Sequence, residues 1–261
     1  MQSSQLLDSL SIAGVFVVFA IITMACYEGG FRVGRWWQER EPGEQEGPTG
    51  MLVGSILALQ AFLLAVTIGM ASDRFDARRA IVLQEANAIG TTYLRAGYLP
   101  EPASSEIREL LREYVPVRIV VTDSTDIDAD IAKSVAILTD LWAIAEDTAR
   151  TTQSGDLVAL FIESLNETID LHETRVTARN ARVPQTVLLL LVGGSALGLA
   201  MVGYSAGLTR RRSLLSAVVL VIALGAVITI VVDLDRPREG VIQVSQQPLL
   251  DLEQQIGPPS P

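Results

Sequence analysis

The chain has 261 residues, of which 49% are hydrophobic and 19% are charged, and its mean hydropathy is +0.36. This composition excludes an ordinary soluble protein and indicates that a membrane part and a soluble part share the chain. Twenty basic and thirty acidic side chains give a net charge of −10, which argues against a nucleic-acid partner because phosphates need a basic surface. The single cysteine, Cys26, allows neither an intrachain disulfide nor a cysteine-based zinc site.

The first apolar segment covers about Leu10 to Tyr27. It has no basic region before it, so we predict a retained membrane span and not a cleaved signal peptide. Segment 28–50 is rich in glycine, proline and glutamate, and it predicts a surface loop that ends the first helix. Within it, Trp36 and Trp37 stand among arginines, which is typical of an anchor at the membrane interface.

The second span runs from Met51 to Ser72 without a charge and is long enough to cross a hydrocarbon core of ~30 Å. It continues without a break into a charged, amphipathic segment that ends near Pro100. In that segment Val82, Ala86 and other apolar residues recur on one helix face. The pattern predicts one long helix that crosses the membrane and continues into water.

Residues 73–182 are predicted to form a soluble insert that is helical throughout, because apolar residues recur there at steps of three and four. Pro116 is expected to kink or end one helix, and 123–125 to cap the next. These helices are expected to pack antiparallel to one another.

Span three covers about Val187 to Leu208, and span four about Leu214 to Val232. The glycines of span three permit close approach of neighbouring helices in lipid. We therefore predict an all-α membrane protein with four spans, a helical insert and a partly disordered tail. The predicted domains are 1–72 (spans one and two with their loop), 73–182 (the insert), 183–233 (spans three and four) and 234–261 (the tail).

Span two carries three polar residues among apolar ones, Ser55, Gln60 and Thr67. In a symmetric oligomer their hydroxyl and amide groups can line a neutral pore. The alternative is that they form hydrogen bonds to neighbouring helices. Spans two to four contain no acid, base or histidine, which argues against an ion-coupled transporter.

The insert carries the only histidine, His172, between Ile169 and Val176 on an apolar helix face. A pH-sensing role is one interpretation, and a histidine satisfied by helix packing is the other. Asp170 and Arg175 flank it and are predicted to pair locally or across helices.

Glu85 falls on the apolar face of the long helix, and a buried acid needs a partner. Arg95, Arg112 and Arg118 are the candidate partners, and the group is either a structural ion-pair network or a gating site. Directly after span four stand Asp235 and Arg236. Arg236 is predicted to pair with an acid of the insert.

The sequence contains no catalytic arrangement, no phosphate-binding loop and no glycine-rich dinucleotide turn. A single histidine without a second ligand nearby in sequence is weak evidence for a metal site. The run Asp126, Asp128 and Asp130 lacks the glycine and the terminal glutamate of a calcium loop. We therefore predict no enzyme activity, no cofactor and no metal site.

Four stretches together resemble a known family: RRAIVLQEANAIGTTYLRAGYLP (78–100), IRELLREYVPVR (107–118), NETIDLHETR (166–175) and LDRPREGVIQVSQQPLLDL (234–252). This is the bestrophin-like family of bacterial membrane proteins, a domain of unknown function. The name implies distant similarity to bestrophins, which are pentameric anion channels with a cytoplasmic insert and cytoplasmic termini. The chain departs from them in lacking their aromatic neck pattern in span two and their acidic calcium clasp.

The positions of the arginines do not decide which side of the membrane the insert is on. The resemblance implies that the insert and both termini are cytoplasmic. The sequence favours a homo-oligomeric channel in the lipid bilayer of the bacterial inner membrane, passing anions or small solutes, with span two lining the pore. The alternative is a non-conducting membrane scaffold or sensor whose insert binds a cytoplasmic protein partner.

Overall fold

The computed structural model describes residues 10–41, 46–120, 127–152, 155–236 and 240–259. In these ranges all regular structure is α-helical, as predicted, and the predicted cap at 123–125 lies outside them. The helices in chain order are α1 (Ile12–Arg40), α2 (Glu46–Ala96), α3 (Ala103–Val120), α4 (Ile127–Thr151), α5 (Gly155–Asn180), α6 (Gln185–Leu208), α7 (Leu214–Asp235) and α8 (Gln247–Ile256).

The helices belong to two compact units, which we describe separately. The membrane unit comprises Met1–Phe75 and Arg182–Ile242, and the insert unit comprises Asp76–Ala181 and Gln243–Pro261. The C-terminal residues thus join the insert unit.

Four helical segments of the described chain are long and apolar enough to cross a membrane: Ile12–Arg40, Thr49–Ala96, Gly155–Leu208 and Leu214–Asp235. Charged residues are frequent in α5, so the apolar part of the third segment is α6. These segments confirm the four predicted spans.

The predicted loop at 28–50 is wrong at both ends, because α1 continues as a helix to Arg40 and α2 already begins at Glu46. Glycine does not break the helix here, since it lets α1 lie directly against α6. A Cβ at Gly30 would collide with the Ala200 carbonyl, and one at Gly203 with the Tyr27 carbonyl. Both helices therefore supply glycines to the same close contact, which needs small residues in lipid.

The insert unit has a continuous apolar core. Its fully buried side chains come from several helices and include Ile89, Leu111, Tyr114, Phe161 and Leu165. Pro116 lies inside α3 and does not end it, since the helix continues to Val120.

The tail contributes a helix that the sequence analysis missed. In α8, Leu249 and Leu252 are buried in the core of the insert unit, and Leu252 lies against Gly90 of α2. Proline in the first turn of α8 is compatible with a helix start, because the first amide groups need no intrahelical partner.

Candidate functional site

The three polar residues of span two have different surroundings in the membrane unit. Ser55 is exposed, and its hydroxyl donates to the Met51 carbonyl one turn earlier, at 2.9 Å. Thr67 is buried and donates to the Leu63 carbonyl at 2.7 Å. Gln60 is buried and, unlike the other two, forms hydrogen bonds to another helix.

Gln60 bonds to α6 through its amide nitrogen, which donates to the Leu191 carbonyl and to the Ser195 hydroxyl, each at 2.9 Å. The amide fits there because Gly194 has no side chain, and a Cβ at that position would meet the Gln60 oxygen. These contacts are those expected if Gln60 packs against a neighbouring helix.

In the insert unit, a completely buried carboxylate lies between two arginines. Glu85 Oε1 accepts a hydrogen bond from Arg118 Nε at 2.7 Å, and its other oxygen accepts one from Arg175 Nη1. Glu85 comes from α2, Arg118 from α3 and Arg175 from α5. One carboxylate therefore joins three helices, and charge-assisted bonds of this kind are the stronger class of hydrogen bond.

Arg175 extends the network to the start of α8. Its second terminal nitrogen donates to the Gln246 side-chain oxygen at 2.6 Å and to the Arg118 carbonyl at 3.4 Å. Gln246 is the residue immediately before α8. The residues of the tail are thus fixed to the same buried charge.

His172 and Tyr114 form the neighbouring part of the cluster. The Tyr114 hydroxyl and His172 Nδ1 are 3.1 Å apart, and both side chains are buried. Burial, together with the positive charge of Arg118, lowers the pKa of His172 to about 4. Burial also raises the pKa of Tyr114. Both groups are therefore neutral at physiological pH.

Of the three arginines proposed as partners of Glu85, the structure pairs it with Arg118. Arg95 donates to the Leu160 carbonyl at 2.6 Å and to Glu163 at 3.2 Å. Arg112 donates to Glu109 at 3.0 Å, to the Tyr93 hydroxyl at 2.6 Å and to the Ile256 carbonyl at 2.9 Å.

The other sequence-predicted residues lie apart from this cluster. Asp170 is an exposed residue of α5. Arg175 pairs with Glu85 and not with Asp170. Asp235 ends α7, and its carboxylate accepts a hydrogen bond from the Val183 amide at 2.6 Å. Arg236, the next residue, is buried at the end of the same helix.

The sequence analysis missed a second buried polar contact between α2 and α5. The Thr92 hydroxyl donates to the Ser164 carbonyl at 2.9 Å and lies 3.0 Å from the Thr168 hydroxyl. The spacing could have indicated this contact, because Thr92 stands seven residues after Glu85 and therefore lies on the same helix face. Among the described residues, no group of acids, histidines or cysteines is arranged to hold a metal ion.

Comparison with known folds places this architecture among bestrophin homologues. A bacterial bestrophin homologue from Klebsiella pneumoniae matches with a TM-score of 0.69 at 14% sequence identity, covering 94% of this chain and 97% of that one. A point variant of a bacterial bestrophin homologue from the same organism matches with a TM-score of 0.63 at 14% identity, covering 92% and 98%. At such low identity the likeness shows a shared fold.

The family comparison is more direct. The model of the bestrophin-like domain matches residues 15–249, from within the first span to α8, and so includes the other three spans and the buried cluster of the insert unit. No curated protein matches the chain. Because the matched range covers most of the sequence, this membrane protein belongs to the bestrophin-like family.

Proposed function

We propose that the chain is the subunit of a homo-oligomeric membrane channel and that α2 lines the pore. Family membership and a bestrophin fold support a channel, since bestrophins are channels. The observation that carries the proposal is that α2 keeps an uncharged face of mostly small residues exposed within the membrane unit. The proposed permeants are anions or small solutes.

The uncharged face follows the helical repeat, with successive steps of three and four residues. Its members are small, apart from one aromatic ring, and all are exposed: Ser55, Ala58, Phe62, Ala65 and Gly69. In membranes, small residues are enriched where helices pack against one another. Small residues that are exposed within one subunit are therefore expected to face a second subunit or a pore.

In this arrangement Ser55 lies on the pore face. Gln60 bonds α2 to α6 behind that face, and Thr67 is buried there and bonds within its own helix. The Phe62 ring, with 63% of its surface exposed, is the largest group on the face. A ring of such side chains forms an apolar constriction that gates by excluding water. Because this face carries no charge, pore width and the cost of dehydrating the solute set selectivity here.

The insert unit also supports assembly with further copies. Leu83 and Leu94 of α2, and Tyr98 just after its end, are more than half exposed although they lie outside the charge-free span. Large apolar side chains on one helix face of a soluble region mark an interaction surface. We propose that these residues contact the next subunit and that the insert unit and both termini lie in the cytoplasm of a bacterium, below its inner membrane.

Current recordings on protein reconstituted in lipid test the pore face. Phe62→Ala should increase the current per channel, because it removes the bulkiest group from the proposed constriction. The matched control is Leu215→Ala on α7, which removes an even more exposed apolar side chain from a different span and should leave the current unchanged. Equal currents in the wild type and both variants would exclude this face as the pore lining.

A further inference from the structure

The cluster around Glu85 carries more positive than negative charge. Arg118 and Arg175 share the single carboxylate of Glu85, so these three groups have a net charge of +1. Among the described residues of the insert unit, Glu85 is the only buried acid. His172 adds no charge at neutral pH because burial lowers its pKa to about 4. Arg118 is 1% exposed and Arg175 is 14% exposed, so most of this excess charge lies away from water, where a charge is costly unless it is paired.

Two buried nitrogen atoms of the same cluster have no partner in the described chain. They are Arg118 Nη1 and His172 Nε2, and both side chains are about 1% exposed. The Glu85 carboxylate accepts from Arg118 Nε and from Arg175 Nη1, and Arg118 Nη1 makes no hydrogen bond to it. A buried polar atom without a partner is rare, and binding of an ion or a water molecule is one explanation.

The contact with Tyr114 is compatible with His172 Nε2 being a donor. When the Tyr114 hydroxyl donates to His172 Nδ1, which is 3.1 Å away, the proton of the neutral imidazole resides on Nε2. Arg118 Nη1 is a donor in every state, and its guanidinium carbon lies 5.9 Å from the centre of the Tyr114 ring. Two unsatisfied donors are then disposed about the same tyrosine, in a region of excess positive charge.

We propose that the insert unit binds one small monovalent anion of the halide class, held by Arg118 Nη1 and His172 Nε2. The anion would neutralise the excess charge and satisfy both donors. A water molecule can accept one hydrogen bond from each donor but leaves the charge uncompensated. This site lies in the insert unit and is separate from the proposed pore face of α2, so it does not depend on the channel hypothesis.

Anomalous diffraction from crystals of the full-length protein grown with sodium bromide tests the site directly. We expect one bromide peak within bonding distance of Arg118 Nη1 and His172 Nε2. An ordered water there without an anomalous signal, or no density, would overturn the proposal.

Thermal unfolding of the full-length protein in detergent tests whether the anion binds in solution. The unfolding temperature should rise saturably when sodium bromide replaces sodium gluconate at constant ionic strength, since a ligand that binds only the folded state stabilises it. His172→Phe removes one donor and should abolish most of this rise. The matched control is Thr92→Val, which removes a buried hydrogen bond between α2 and α5 but leaves both donors and the Tyr114 contact in place, and it should retain the rise.

The remaining outcomes are also decisive. An equal rise in both variants would mean that bromide acts elsewhere, for example in the membrane unit, and would overturn the proposal. A crystal peak without any stabilisation in solution would be an adventitious ion only. If His172→Phe does not fold, the bromide map of the wild-type protein decides alone.

Discussion

Glu85 on α2 and Arg118 on α3 form an ion pair with 2.7 Å between Oε1 and Nε, and almost none of either side chain reaches solvent. Removing two charges from water costs several kcal/mol per ion, and the attraction between them offsets this only with good geometry and further hydrogen bonds. Arg175 supplies the further bond to Glu85. The arrangement consequently fixes how α2, α3 and α5 pack.

The first prediction concerns the loss of this carboxylate. Glu85→Ala should lower the free energy of unfolding by about 3–5 kcal/mol, because it leaves two guanidinium groups without their shared partner. Chemical denaturation of the purified protein in detergent measures the change. Glu163→Ala is the matched control, since its carboxylate pairs with Arg95 at 3.2 Å but is 72% exposed. Comparable losses in the two variants would contradict the account.

The second prediction concerns pH. The pKa of His172 is lowered from 6.5 to about 4 in the folded protein, so the unfolded chain binds the proton more readily. The associated stability is fully present above pH 6.5 and is lost as the pH falls towards 4. At 1.36 kcal/mol per pKa unit, the loss amounts to about 3 kcal/mol.

Unfolding free energies measured between pH 7.5 and pH 4 in the wild type and in His172→Phe isolate this effect, because other groups titrate alike in both. The wild type should lose about 3 kcal/mol more than the variant over that interval. Parallel profiles would show that His172 is not held neutral.

The third prediction concerns the contact between α1 and α6. Gly30→Ala should lower the unfolding temperature, because the new methyl group would meet the backbone of Ala200. The neighbouring residue is the control, since a Cβ at Gly29 has nothing within 4 Å. Gly29→Ala should be neutral or stabilising by up to about 1 kcal/mol through helix propensity. A destabilisation that is the same at both positions would argue against this close packing.

The fourth prediction distinguishes the two interpretations of Gln60. Gln60→Ala removes hydrogen bonds to Leu191 and Ser195 and should cost about 1–2 kcal/mol of stability. The current per folded channel should stay the same, because the side chain lies behind the proposed pore face. Ser55→Ala should change the stability little. A clear change of current in Gln60→Ala, with normal folding, would return Gln60 to the pore.

Much of the fold could be predicted because the decisive signals are local. Four apolar segments predict the spans, and the three-and-four spacing predicts helices in the insert. The loop at 28–50 was predicted wrongly from the same kind of signal, since glycine favours a turn in water. In α1 the glycines serve a close helix contact, which depends on the partner Ala200 170 residues later in the chain.

The buried cluster could be predicted only in part. The apolar surroundings of Glu85 indicated a buried acid and Arg118 was among its candidate partners. Arg175 and Gln246 were not predicted as its companions, because they are distant in sequence and meet only when α5 and the tail pack together. The two donors without partners likewise depend on side-chain directions that the periodicity of a helix does not determine.

The most direct test of the channel is the number of subunits and the current of the unmodified protein, measured on one preparation in lipid. Particle imaging gives the subunit count, and recordings on the same vesicles give the conductance. The account predicts a closed ring of several subunits around α2 that conducts. A silent monomer or dimer would contradict it and would favour the alternative of a non-conducting scaffold or sensor.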